Sequence, residues 1–137
     1  MAEESRNEQS LDELEGEAWG PAPEGSTTLV AKVHALRQEP VGELTADDLR
    51  LLIGQKISLP ILLPRAIQLL KKEPLLEATF YPGDLLAALL RIGHEDWQIN
   101  RELIGDVLGI VARLPELPDE LRQPVTDFQQ TAGRIGQ

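Results

Sequence analysis

The sequence predicts an all-α protein, and three features of its patterning lead there. Apolar residues recur three and four apart in several stretches: Leu49, Leu52 and Ile53; Leu85, Leu86, Leu89 and Leu90; Leu103, Val107, Ile110 and Leu114. Helix-start residues (Ser10, Ser26, Thr45, Ser58) stand ahead of these runs, and glycines or prolines stand behind them. The apolar set is Leu, Ile, Val and Ala with only 4% aromatics, a balance that suits helices better than a β-sandwich. At 137 residues the chain has room for one sizeable core and is short for two. The expectation is therefore a disordered acidic arm over residues 1–10, then a single-domain array of about six to eight short helices over 11–137.

From the N-terminus, Ser10 and Glu13 form a capping-box pattern that opens a short helix through LDELEGE, with Leu11 and Leu14 on one side. Gly16 to Gly25 reads as a linker by composition. Trp19 lies inside it and is expected to anchor the linker by burying its ring, the alternative being an exposed binding anchor. Ser26 is read as the cap of a helix to about Gln38, with Leu29, Val33 and Leu36 as its apolar stripe and Pro40 beyond its end. His34 on that helix reads as a hydrogen-bonded residue, since no partners at a ligand spacing accompany it.

The segment Leu44–Leu70 is the centre of the chain. Thr45 and Asp48 form a second, shortened capping box, with Leu44 and Leu49 placed for a hydrophobic staple. Gly54 is the expected stop. Ser58-Leu59-Pro60 opens the next helix, and Pro64 is expected to make its first turn irregular, so that regular helix begins near Pro64 and ends before Pro74. Lys71 and Lys72 read as a solvated last turn.

Pro82 is read as the first residue of a helix whose wide leucine stripe requires burial on more than one side, with Gly93 as its stop. A helical region is expected from His94 to about Leu114, with Gly105 and Gly109 letting a neighbouring helix approach closely. A last helix starts at Pro118, interrupted or kinked at Pro124, with Val125, Phe128 and Ala132 as a weak stripe.

Charge and chemistry exclude several functions. The net charge is −10, of which residues 1–25 hold eight acids and one base, or −7, and the remainder only −3. Such a balance opposes direct binding of nucleic acid or an anionic membrane and permits a basic protein partner, solubility alone being the other reading. No apolar run reaches the roughly 20 residues of a membrane span, and the acidic N-terminus is unlike a secretory signal, so a cytoplasmic location is expected. The chain has no cysteine, hence no thiolate nucleophile or thiolate metal ligand. No nucleophile elbow, phosphate-binding loop, HExxH or dinucleotide fingerprint occurs. His94-Glu95-Asp96 suggests a proton-transfer fragment, but consecutive helix positions point apart. Neither an enzymatic role nor a cofactor or metal is expected.

Several of these segments resemble a family of bacterial immunity proteins from contact-dependent growth inhibition systems. The resemblance runs from about Leu11 to Arg91 and is carried by LEGEAWG, LTADDLRLLIGQ, the double proline of LPILLP, and FYPGDLL. It implies a non-enzymatic helical protein that binds the toxin domain delivered by a sister cell and holds it inactive in the cytoplasm. A nuclease toxin, RNase or DNase, has a basic substrate cleft that acidic side chains can block. On this basis the expected contacts are acids near helix starts, Glu43, Asp47, Asp84, Glu95 and Asp96, with Trp97 as an aromatic anchor. The other role open to such a chain is a helical adaptor or regulator with a cellular, non-toxin partner.

Overall fold

The computed structural model describes residues 7–136. Among them are eight α-helices, and the expected all-α class is the class observed. In chain order they are α1 (Leu11–Glu15), α2 (Thr28–Arg37), α3 (Ala46–Gly54), α4 (Leu59–Lys72), α5 (Asp84–Leu90), α6 (His94–Ile99), α7 (Ile104–Ala112) and α8 (Asp119–Ile135). Short 3₁₀ turns at Val41–Glu43 and Arg101–Leu103 connect neighbours. The chain divides into two compact units, Met1–Asp48 and Leu49–Gln137.

In the first unit, α1 carries both halves of the expected capping box: the Glu13 N–H donates to Ser10 Oγ, and the Ser10 N–H donates to Glu13 Oε1, each at 3.1 Å. Gly16 ends α1 in the left-handed region. Of the expected disordered arm, Met1–Arg6 lie outside the described residues. Residues 7–10 are held: the Gln9 carbonyl accepts from the Val41 N–H at 2.9 Å, and Ser10 is buried in a bridge to Pro40. Asn7 also lies so close to Gly42 that a Cβ there would stand 3.0 Å from the Asn7 backbone oxygen, which reserves the position for glycine.

The cap of α2 is Thr27, one residue later than expected, because Ser26 Oγ donates instead to the Pro23 carbonyl. The start of α2 is also less buried than its stripe suggests: Val33 and Leu36 are core, whereas Leu29 and Val30 are exposed. Arg37 is the unexpected core residue. Its guanidinium meets Asp12 at 2.8 Å and Glu15 at 2.6 Å, and stacks on the Trp19 ring at 4.2 Å. Trp19, edge-on to His34 at 5.2 Å, is thus an anchor held through a cation and remains partly exposed. His34 Nδ1 donates to the Gly20 carbonyl, closing the linker onto α2.

The Thr45–Asp48 box forms as expected, with reciprocal bonds of 3.0 and 3.1 Å. Gly54 is the last residue of α3, and the chain turns away at the left-handed Lys56 (φ 59°); Ser58, also left-handed (φ 51°), is the N-cap of α4. In the second unit α4 is regular from Leu59, despite Pro64. Pro60 and Pro64 lie one turn apart, both on the exposed side, so the missing donor leaves a carbonyl facing water. The buried side holds Leu59, Leu62, Leu63, Ala66, Ile67 and Leu70. Lys71 is not simply solvated: its Nζ lies 3.2 Å from Asp106 of α7, and its carbonyl accepts from Arg113.

Gly83, at φ 90°, caps α5, so Pro82 precedes the cap. A side chain at position 83 would press on Leu75 and Leu121 at 3.1–3.2 Å, a second reason for glycine. All four α5 leucines are buried, as the stripe requires. Gly93 is the cap of α6 and not the stop of α5. The expected 94–114 helix is broken at Asn100, whose buried amide donates to the Asp96 carbonyl. Nothing packs over Gly105 or Gly109, both of which are exposed, so the close-approach expectation fails there. Pro118 caps α8, which runs unbroken through Pro124 and buries Leu121, Val125, Phe128 and Ile135. The core of this unit forms where α5, α6 and α7 pack on α8, and α4 on α5 and α7.

Candidate functional site

The FYPGD turn ahead of α5 is built around one carboxylate. Asp84 accepts from the backbone N–H of Ala78 (2.6 Å), Thr79 (2.8 Å) and Phe80 (2.7 Å) and is only 3% exposed. Burial by itself raises its pKa, but the N–H groups of Phe80, Ala78, Thr79 and Tyr81 outweigh burial and hold it below the ordinary 3.8. The turn so fixed projects Phe80 outward at 71% exposure. From α3, Arg50 Nε donates to Thr79 Oγ1 at 2.6 Å, and its guanidinium lies 4.8 Å from the Phe80 ring centre.

Beside this turn is a hollow of about 280 Å³, lined by Arg50, Lys56 and Arg91 over Ile53, Ala88 and Ile92, with Phe80, Tyr81 and Asp84 on the turn side. The same face continues onto α6, since Lys56 Nζ stands 4.0 Å from Asp96. On α6, Glu95 and Ile99 are one turn apart, and Ile99 is 69% exposed. Phe80, beside the hollow, and Ile99, on α6, are exposed large apolar residues of this unit.

The expected contact residues separate. Glu43, exposed at the end of its 3₁₀ turn, and half-buried Asp47 belong to the first unit. Glu95 and Asp96 occupy the first turn of α6 in the second. Asp84 is not an exposed acid, because its oxygens are consumed by the turn. Trp97 is not an exposed anchor either: its ring is 0% exposed and packs edge-to-face on Phe128 at 5.3 Å. The exposed apolar residue of α6 is Ile99, two positions on. The residues that line or flank the hollow, Phe80, Arg50, Lys56 and Arg91, and the exposed Ile99 of α6 are not among the expected contacts. A scarce aromatic ahead of Pro-Gly was a usable signal for Phe80; the cations, distant in sequence, offered none.

Among the described residues no three His, Asp or Glu side chains are placed to hold a metal ion, and no helix is long and apolar enough to cross a membrane. The described residues form a small all-α protein whose second unit exposes Phe80 beside a hollow lined by Arg50, Lys56 and Arg91. The sequence profile of the CDI immunity proteins, those of contact-dependent growth inhibition, matches residues 13–107, and the chain belongs to that family. Its role is immunity against a CDI toxin, which makes the cognate toxin its partner; such families are typically non-enzymatic. The match takes in the FYPGD turn and the hollow and passes beyond Arg91 into α7. No curated protein matches the chain.

Proposed function

We propose that this protein neutralises a nuclease toxin domain in the cytoplasm by tight, non-covalent binding that closes the toxin's substrate cleft, with no catalytic step of its own. The observation that carries this reading is the family match over residues 13–107. The charge supports the choice of target: a cleft that holds phosphates is basic, and a chain of net charge −10 is attracted to it. Glu43 and Asp47 in the first unit, and Glu95 and Asp96 beside Ile99 in the second, are the proposed acidic contacts. Acids in a first helical turn also favour the helix dipole, so each must be tested by its effect on binding.

Co-expression with the toxin domain encoded beside this chain tests the function directly. Growth of the toxin-producing cell is expected to be restored, and purified immunity protein is expected to abolish nucleic-acid cleavage at one-to-one stoichiometry. Persistent growth arrest with a folded, soluble immunity protein would remove the assignment. Restored growth with a toxin that cleaves no nucleic acid would remove only the nuclease target.

A further inference from the structure

The hollow beside the FYPGD turn has the opposite sign to the protein as a whole. Arg50, Lys56 and Arg91 line it, and the one acid among its lining residues, Asp84, has its oxygens engaged by three backbone N–H groups. Among the described residues Arg91 forms no ion pair, and the Lys56–Asp96 pair is long at 4.0 Å with Lys56 63% exposed. Three cations gathered over an apolar floor of Ile53 and Ile92 attract an anion. At about 280 Å³ the hollow is at the lower limit for a small-molecule site and suits one or two inserted side chains. The Arg50–Thr79 bond holds one guanidinium against Phe80.

We propose that this hollow receives an acidic segment of the toxin domain, an Asp or Glu side chain entering between Arg91 and Lys56 while a neighbouring apolar side chain seats on Phe80. The inference rests on the immunity reading and adds a recognition element of the opposite sign to the acidic contacts. Two-way charge complementarity of this kind fixes register and rejects toxins that carry a basic segment at that point.

Affinity for the purified toxin domain encoded beside this chain is measured for wild type, Arg91→Glu, Lys56→Glu, Lys56→Gly and Phe80→Ala, with a melting curve for each. Arg91→Glu and Phe80→Ala are expected to weaken binding about tenfold or more. Lys56→Gly is the control for folding: glycine suits that backbone, so its melting temperature should be preserved while affinity falls several-fold. Replacing acids of the toxin one at a time should reveal one whose change to Lys weakens wild-type binding and restores Arg91→Glu. If wild type binds and all four variants bind within twofold of it, the hollow is not a contact and the inference falls while the immunity reading stands. It falls equally if no acid of the toxin affects binding. If the wild-type protein itself has no affinity for the toxin, the immunity reading falls and takes the inference with it.

Discussion

At Asp84 a single carboxylate answers three backbone donors of the turn that carries Phe80. Asp84→Ala leaves those N–H groups without their acceptor, and a loss of about 2–3 kcal/mol is expected at neutral pH, read from urea unfolding. Because the folded pKa lies below the ordinary 3.8, the stabilisation is complete above that value and disappears as pH falls through the folded pKa. The gap between wild type and Asp84→Ala should therefore be constant from pH 5 to 7, by the ordinary ionisation range of Asp at about 3.9, and narrow only in stronger acid. A gap unchanged down to pH 2 would show that charge on Asp84 is not what holds the turn. Trp97 gives a second residue-level test. Its indole N–H has no hydrogen-bond partner among the described residues, although the ring is buried against Phe128. Trp97→Ala is expected to cost about 3–5 kcal/mol through the cavity it leaves. Trp97→Phe should cost clearly less, since it removes a buried, unanswered donor along with part of the volume. Equal costs would mean that the N–H is satisfied in solution.

Among the helices, the starts obey local rules more closely than the ends. α1 and α3 begin with reciprocal side-chain caps whose sequence signatures are four residues long and self-contained. Ser10→Ala is expected to lower stability by about 1 kcal/mol, a fall of roughly 4 °C in the melting temperature for a chain of this size. A shift under 1 °C would mean that the box adds nothing beyond what Leu11 already secures by packing. The ends depend on the residues beyond them and on which side faces water. α3 ends at Gly54, but the left-handed residue that turns the chain is Lys56, two positions on, and α4 tolerates Pro64 because that side faces solvent. Arg37 links elements distant in sequence, clamping the α1 segment and Trp19 onto α2 through two carboxylates and a ring. Such a buried cation is tolerable because it is answered on several sides at once.

For the molecule as a whole the governing quantity is charge, −10 overall with −7 of it in residues 1–25. If an acidic surface meets a basic toxin cleft, association with the toxin should slow steeply between about 50 and 500 mM salt while dissociation changes little, because the Debye length shrinks from above 10 Å to a few ångströms. Glu95→Gln should lower the on-rate and leave the off-rate nearly unchanged. Stopped-flow binding at several ionic strengths measures both. A salt-independent on-rate would exclude electrostatic steering without touching the family assignment. The hollow beside the FYPGD turn adds a contrasting signature: Arg91→Glu should act mainly on the off-rate, since a seated carboxylate is lost from a formed complex.

What the sequence determined by itself is local. Helix class, the two capping boxes, the buried leucines of α5 and the motifs of an immunity family all depend on residues within a few positions of one another. Periodicity identified which faces are apolar, but not which of them find a partner: Leu29 stays exposed, and Gly105 and Gly109 meet nothing. Only the tertiary structure decided that Asp84 and Trp97 turn inward, because their burial depends on the 78–80 backbone and on Phe128 of α8. It also decided that Arg50, Lys56 and Arg91 share one hollow. Those cations are separated along the chain, and no short-range pattern encodes their meeting; the turn held by Asp84 and the packing of α5 against its neighbours bring it about.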